Sequence, residues 1–142
     1  MSPIISMPAA SPEKSLFSTA NIVCIDRTEL AATQFVRRLS IRSHLKGYSY
    51  LITAIVLGKN DPSLLDSLTH RLYPAVAAIY DTTPSAVERN IRTAIDQAAL
   101  HDPEQMQAAF YYRTRKPYIS EVLALALETI RLEQYAECSA AQ

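Results

Sequence analysis

The stretch that decides the fold is residues 80–99, YDTTPSAVERNIRTAIDQAA. Thr83 is a residue type that caps helices, and Pro84 follows it at the first helical position, where the missing N–H of proline costs no hydrogen bond. The S-x-x-E pattern that starts at Ser85 also matches a capping box. These signals predict a helix from Ser85 to about Ala99.

A shorter helix is predicted immediately before this one. Residues from Pro74 to Tyr80 are almost all apolar, and the four residues 80–83 that follow supply a turn. Two helices joined by a short turn form a candidate helix-turn-helix, in which the second helix enters the major groove of DNA. The sequence therefore predicts that residues 85–99 form the recognition helix.

The predicted recognition helix carries the chemistry needed to read DNA. Apolar residues recur on one side at helical spacing: Val87, Ile91, Ala94 and Ile95. The predicted base-reading residues lie on or near the other side: Glu88, Arg89, Arg92 and Thr93. Arginine can donate two hydrogen bonds to guanine, and glutamate can accept one from cytosine N4. The alternative interpretation is that Glu88 and Arg92 form an i,i+4 ion pair on an ordinary solvated helix.

The start of the same helix suits contact with phosphate. The hydroxyl groups of Thr83 and Ser85 lie beside backbone N–H groups at the positive end of the helix dipole. Both residues are therefore predicted to contact the DNA backbone, which positions a protein on the duplex without reading its sequence.

The composition points to one all-α domain. With 142 residues and 49% hydrophobic content, the chain can bury one core, but two would be small. It holds only two glycines, too few for the many tight turns of a β fold. We therefore predict a compact all-α domain.

Charge and residue chemistry exclude several classes of function. The formal net charge is zero, so DNA binding has to depend on the local arrangement of charges. Cys24 and Cys138 lie far apart, and His44, His70 and His101 are scattered. We expect no metal site, no cofactor and no catalysis. Because no signal peptide or membrane span is evident, the predicted location is the cytoplasm.

The predicted organisation has three parts. Residues 1–25 form a flexible leader, since a stretch rich in Ser, Pro and Ala buries too little surface to become ordered. Residues 26–137 form the helical domain, and residues 138–142 form a tail. Within the domain, Pro74 is expected to break the apolar pattern near Tyr73. The helices are predicted over residues 26–39, 46–58, 61–72, 74–80, 85–99, 103–110 and 120–132.

Several segments together resemble a known family from about Ser40 to Glu137. The most specific is HLKGYSYL at residues 44–51, which is similar to the H-[IL]-K-G-Y-x-Y-L signature of the effector domain of the master sporulation transcription factor. Further matching segments follow in the same order: ND at 60–61, SLT at 67–69, LYPAVA at 72–77, TTPSAVERNIRTAI at 82–95, KPYISE at 116–121 and LE at 132–133. Several co-linear motifs at close spacing make the resemblance specific.

The resemblance implies a six-helix fold with a helix-turn-helix, placed at the C-terminus of a response regulator and binding promoter DNA, often as a tandem dimer. It carries the recognition helix onto Ser85 to Ala99. The basic loop at residues 113–117 resembles the family's loop before the final helix. Its three cations are therefore assigned to backbone phosphates: Arg113, Arg115 and Lys116. The alternative is that they are solvated surface charges.

The chain departs from the family pattern at several positions. Ala86 and Thr93 stand where the family usually has arginine and histidine on the recognition helix, so the DNA sequence that is read should differ or binding should be weaker. Tyr118 replaces a capping threonine, and the expected tryptophan near the end of the recognition helix is absent. The first 40 residues are also too few for a receiver domain.

The function predicted from the sequence is that of a sequence-specific transcriptional regulator without a receiver domain. Its expected partners are promoter DNA, a second copy of the chain bound on that DNA, and RNA polymerase. The alternative is a protein-interaction module on the same fold that has lost affinity for DNA and acts on a partner regulator. The alternative is favoured by the neutral charge and by Ala86.

Overall fold

The computed structural model describes residues 19–110 and 116–141. The chain divides into two compact units, residues 1–30 and 31–142. In the first unit the described residues are the N-terminal part of one helix. The contacts of the core and of the candidate site lie within the second unit.

The described residues form six α-helices and two short turns of helix, with no strand among them. In chain order the elements are α1 (Thr19–Arg38), α2 (Lys46–Asn60), a 3₁₀ turn (Pro62–Asp66), a π turn (Leu68–Leu72), α3 (Tyr73–Tyr80), α4 (Pro84–His101), α5 (Pro103–Ala109) and α6 (Ile119–Ala141). The predicted all-α class with six helices is confirmed.

Both ends of the helical region extend further than predicted. Helix α1 begins at Thr19 and not at Asp26, so the last part of the predicted leader is helical, while residues 1–18 lie outside the described residues. Helix α6 continues to Ala141, through most of the predicted tail. Neither extension contains Gly or Pro, and alanine favours helix, so nothing in these segments stops a helix that has already formed.

The prediction of one helix over residues 61–72 was wrong. The 3₁₀ turn and the π turn take its place, separated by Ser67 in an extended conformation. The side chain of Asp61 accepts a hydrogen bond from Ser63 N at 3.2 Å, and Ser67 Oγ accepts one from His70 N at 3.2 Å. Such short polar side chains compete with continuous helix by bonding to the nearby backbone. At Tyr73, where a kink or break was predicted, the π turn passes directly into α3 with Leu72 and Tyr73 both in the αR conformation, so the chain stays helical there.

Helix α2 lies at the centre of the core, as its apolar sequence predicted. Leu51 and Ile55 have no exposed surface, and α2 packs against α3, α4 and α6. Gly47 lies where α2 meets α4: a Cβ atom added there would overlap the backbone carbonyl oxygen of Asn90 and come within 2.8 Å of Ala94 Cβ. The glycine of the HLKGYSYL segment is therefore what allows α2 to approach the backbone of α4.

Helix α3 is tied to α2 by Tyr80. The hydroxyl groups of Tyr80 and Thr53 are 2.6 Å apart, and the Tyr80 hydroxyl also donates to Ser49 O at 3.4 Å. The rings of Tyr80 and Tyr50 are tilted, with centroids 4.9 Å apart, an arrangement in which aromatic rings attract each other. These contacts fix the first helix of the helix-turn-helix against the central helix.

Asp102 joins the end of α4 to the loop after α1. Its Oδ1 accepts from Gln105 N at 3.3 Å and so caps α5, as the Asp-Pro signal predicted. Its Oδ2 accepts from Ser40 Oγ at 2.8 Å, a contact the sequence did not indicate. Ser40 has φ of 67°, a left-handed conformation that is uncommon for a residue other than glycine. The carboxylate thus holds two turns together.

Candidate nucleic-acid interface

The predicted helix-turn-helix is present. Helix α3 ends at Tyr80, Asp81 adopts a left-handed conformation with φ of 53°, and α4 begins at Pro84. Thr83 Oγ1 accepts from Ala86 N at 3.1 Å, so Thr83 is the cap of α4. The capping box predicted from Ser85 is not formed, because Thr83 already occupies the cap position and the Glu88 carboxylate bonds to Arg92 instead.

Helix α4 has one buried face and one exposed face. The predicted core residues Val87, Ile91, Ala94 and Ile95 are at most 1% exposed. On the other side, four of the predicted DNA-contacting residues are exposed: Ser85, Arg89, Arg92 and Thr93. Ser85, Arg89 and Arg92 follow one another at spacings of four and three, so they lie in a row along the helix. Glu88 is half-buried at the edge of this row.

Two ion pairs lie on the exposed side of α4. Arg92 Nη2 lies 2.6 Å from Glu88 Oε2, the i,i+4 pair that the alternative interpretation of the sequence describes. Lys116 Nζ lies 3.6 Å from Asp96 Oδ1, which places the end of the basic loop beside α4. All four side chains are at least 37% exposed. Exposed pairs of this kind contribute about 0–1 kcal/mol, so a phosphate or a base can displace them at little cost.

Arg89 differs from these cations. It is exposed and makes no ion pair within residues 19–110 and 116–141. Its guanidinium is therefore available to an incoming ligand without displacing a carboxylate. The other predicted phosphate contacts, Arg113 and Arg115, lie outside the described residues.

Tyr73 lies close enough to the Glu88–Arg92 pair for both charges to act on its hydroxyl, and the sequence analysis did not identify it as a site residue. It is only 4% exposed. Burial and the nearby Glu88 carboxylate raise the pKa of its hydroxyl to about 12, partly opposed by Arg92. Asp96 was also missed, although it follows Arg92 by four residues and therefore shares its face.

Alkaline pH is expected to destabilise the wild type more than Tyr73→Phe. In the unfolded chain Tyr73 ionises near pH 10, whereas in the folded chain its pKa is about 12. The stabilisation linked to this group is therefore fully present below pH 10 and is lost as the pH rises from 10 to 12. The difference should be about 1 kcal/mol at pH 11, since one pKa unit corresponds to about 1.4 kcal/mol. Urea unfolding at pH 8 and pH 11 measures it, with the exposed Tyr135→Phe as control.

Equal alkaline losses in the wild type, Tyr73→Phe and Tyr135→Phe would contradict this prediction. A spectrophotometric titration of tyrosinate provides a second measurement. The titration of folded Tyr73→Phe should lack one phenol that, in the folded wild type, ionises with a pKa of about 12.

The start of α6 shows how the chain accommodates its departure at Tyr118. Glu121 Oε1 accepts a hydrogen bond from Tyr118 N at 2.9 Å. This is the reciprocal half of a capping box, in which the residue at the third helical position bonds back to the N-cap amide. The Y-x-x-E pattern at residues 118–121 thus keeps one of the two bonds that a capping threonine would share.

Metal-binding clusters and membrane-spanning helices are absent from the described ranges. Within them, no cluster of His, Cys, Asp and Glu has the composition to hold a metal ion. No helix there is both long enough and apolar enough to cross a membrane.

A helix-turn-helix whose second helix exposes a row of polar and basic side chains defines the class of DNA-binding effector domains. A protein-family model described as "Sporulation initiation factor Spo0A C terminal" matches residues 32–130. The match covers more than half of the chain, and the chain belongs to this family. The protein is therefore a DNA-binding sporulation effector domain of the kind found in transcription factors, and the resemblance seen in the sequence is confirmed.

Proposed function

We propose that this domain binds double-stranded promoter DNA sequence-specifically, with α4 in the major groove. The single observation that carries the proposal is that Arg89 lies exposed in the middle of the outer row of α4 without a carboxylate partner in the described ranges. Glu88, Arg92 and Thr93 are the other proposed base-reading residues. Arg92 would exchange its bond to Glu88 for a bond to a base, which leaves the Glu88 carboxylate able to accept from cytosine N4.

The backbone contacts are proposed at two points along α4. Thr83 and Ser85 stand at its start, where the Thr83 hydroxyl accepts from Ala86 N and can still donate to a phosphate oxygen. Lys116 stands beside the fourth turn through its pair with Asp96. Arg113 and Arg115, which precede Lys116 in the basic loop, are proposed to extend this second contact. Phosphates bound at both points would fix the angle at which α4 enters the groove.

Two residues of the recognition helix that depart from the family pattern are proposed to change the base sequence that the domain prefers. Thr93 is exposed at the edge of the outer row and offers a methyl group and a hydroxyl in place of the histidine usual in the family. Ala86 is half-buried and reaches much less far than an arginine would. The operator should therefore differ from the family's promoter box at the bases next to these two positions.

A second candidate function is supported by the ion pairs. Arg92 and Lys116 are both neutralised by carboxylates on α4, which reduces the positive potential of the exposed side. A protein-interaction module that retained the fold and lost DNA affinity would have such a surface. The experiment below separates the two candidates.

The proposed partners beyond DNA would use the far end of α6. Leu132 is 51% exposed and Tyr135 is 70% exposed there, beyond the last buried residue, Ile130. Exposed large apolar side chains of this kind are typical of protein contacts. We propose that they contact a second copy of the domain on DNA or RNA polymerase, and that the domain acts in the cytoplasm.

The test of DNA reading is fluorescence anisotropy with two duplexes, one carrying the family's promoter box and one with the same bases scrambled, over a salt series. Arg89→Ala is expected to weaken binding to the box about tenfold, because a bidentate arginine–guanine contact contributes about 1–3 kcal/mol of discrimination. Arg37→Ala is the matched control, since Arg37 is an exposed arginine on α1. It should change the Kd for the box less than about twofold, within the range of ordinary surface substitutions.

The outcome decides between the two functions. Binding that prefers the box, weakens with salt and falls in Arg89→Ala alone supports sequence-specific reading. Equally weak binding of the wild type to the box, to the scrambled duplex and to boxes randomised at the bases next to Ala86 and Thr93 contradicts it and favours the protein-interaction module. Equal losses of duplex affinity in Arg89→Ala and Arg37→Ala would mean that the domain binds DNA but that Arg89 does not read a base.

A further inference from the structure

A groove with a volume of about 500 Å³ lies between α4, the π turn and the start of α6. Its apolar walls include Leu68, Ile95 and Ile119, and the cations Arg92 and Lys116 stand among its lining residues. Tyr73, which is almost completely buried, also lines it. The volume falls in the range of sites for small organic molecules, about 300–1,000 Å³, and such sites combine apolar walls with a few convergent polar groups.

The hydroxyl of Tyr73 is the first feature that indicates a ligand-binding site. Tyr73 is 4% exposed, and across the two described ranges its hydroxyl has no hydrogen-bond partner. Buried polar groups in native proteins are almost always hydrogen-bonded. A ligand oxygen entering from the groove would accept the bond that this hydroxyl can donate.

The start of α6 is the second feature that indicates a ligand-binding site. Helix α6 begins at Ile119, and Ile119 and Ser120 both line the groove. The first N–H groups of a helix have no partner inside the helix and carry partial positive charge, so they favour an anion. Tyr73 and the start of α6 therefore line one groove, and the Tyr73 hydroxyl and the N–H groups of Ile119 and Ser120 can each donate a hydrogen bond.

The charged side chains of the groove are compatible with an anion. Arg92 and Lys116 are 59% and 61% exposed, and each is paired with a carboxylate of α4, Glu88 and Asp96. The charges of these two pairs cancel, and the Glu121 carboxylate that bonds to Tyr118 N offsets the partial positive charge of the helix start, so an anion would be held by directed hydrogen bonds and by Arg92. Since exposed pairs are weak, Arg92 can turn from Glu88 toward an anion in the groove.

We propose that this groove binds a small organic anion. Its phosphate or carboxylate group would be held by the Tyr73 hydroxyl, the first N–H groups of α6 and Arg92. An apolar or aromatic body would lie against Leu68, Ile95 and Ile119, because the groove is larger than a lone phosphate requires. Arg92 also belongs to the proposed base-reading row, so the bound anion would compete with DNA; that consequence, unlike the binding itself, rests on the proposed function.

The test uses phenyl phosphate as the probe, titrated into ¹⁵N-labelled wild-type protein at constant ionic strength and followed by amide chemical shifts. Saturable shifts are expected at Tyr73, Arg92, Ile119 and Ser120. Inorganic phosphate lacks the apolar body and phenol lacks the anion, so each should bind at least about tenfold more weakly than phenyl phosphate.

Two tyrosine variants test the assignment of the hydroxyl. Tyr73→Phe removes only a buried oxygen without a protein partner, so it should fold, and it should weaken phenyl phosphate binding about tenfold, as expected for the loss of a hydrogen bond to a charged group. Tyr80→Phe removes a hydroxyl that bonds to Thr53, away from the groove lining, and should leave the affinity unchanged. Equal affinities of the wild type and Tyr73→Phe would overturn the proposal.

A duplex titration separates a free anion from a DNA phosphate. If phenyl phosphate saturates the groove and raises the Kd of the duplex, the site takes a small anion that competes with DNA. If the duplex shifts the same amides and phenyl phosphate does not bind, the groove is part of the DNA contact and the proposal is overturned. Because the phenyl phosphate titration contains no DNA, a failure of DNA reading in the anisotropy experiment would leave its result intact.

Discussion

Gly47→Ala is expected to lower the free energy of unfolding by about 3 kcal/mol, at the upper end of the range for overpacked cores. The added Cβ would overlap the carbonyl oxygen of Asn90 and lie 2.8 Å from Ala94 Cβ. The first of these atoms is backbone in the middle of α4, so no side-chain rotation can relieve the contact, and α2 and α4 must move apart. Urea unfolding followed by circular dichroism measures the loss.

The same substitution should also weaken DNA binding. Asn90 lies between Arg89 and Ile91, so a shift of its backbone moves the proposed reading row relative to the start of α6 and Lys116. A displacement of the recognition helix changes base contacts and phosphate contacts together. Anisotropy measured well below the unfolding midpoint would show this as a loss of preference for the promoter box.

Gly58→Ala is the matched control, since it adds the same methyl group to the same helix. Its Cβ would lie 3.1 Å from Leu65 Cδ2, the end of a flexible side chain that can move. Alanine favours helix over glycine by about 1 kcal/mol, which offsets the closer contact. We expect the stability of Gly58→Ala to lie within about 1 kcal/mol of the wild type. Equal stabilities of Gly47→Ala and Gly58→Ala would contradict the close approach of α2 and α4.

The parts of the fold that the sequence predicted well depend on local hydrogen bonds. Thr83-Pro84 and Asp102-Pro103 each place a cap and a proline together, and α4 and α5 begin at those prolines. Their bonds join residues three apart, so the sequence contains both partners. The prediction for residues 61–72 was wrong because Ser67 interrupts an apolar pattern that suits a continuous helix equally well.

The candidate site also has features that the local sequence predicts and features that it does not. The exposed and buried faces of α4 could be predicted, because helical periodicity alone determines which residues share a side. The pair between Lys116 and Asp96 and the position of Tyr73 near Glu88 join distant segments. No spacing along the chain encodes such contacts. Similarly, Gly47 was recognised as part of a motif, but the reason for a glycine there is the backbone of α4.

Asp102→Ala is expected to lower the free energy of unfolding by about 2–4 kcal/mol, because one carboxylate makes two separate contributions. As the cap of α5 through Gln105 N it contributes about 1 kcal/mol. As the acceptor of the 2.8 Å bond from Ser40 Oγ it adds about 1.5–3 kcal/mol, the range for hydrogen bonds to charged groups. Thermal and urea unfolding of the variant measure the sum.

Ser40→Ala separates these two contributions. It removes the bond to Asp102 Oδ2 and leaves the cap of α5, so its loss should be smaller than that of Asp102→Ala. In the double variant the effect of Ser40→Ala should nearly vanish, since its partner is already gone; additive losses would contradict the coupling. The bond also holds Ser40 in its left-handed conformation, which costs of order 1 kcal/mol and persists only where the surroundings maintain it. Asp102 thus stabilises the turn after α1 and the start of α5 with the same group, so its loss should loosen both.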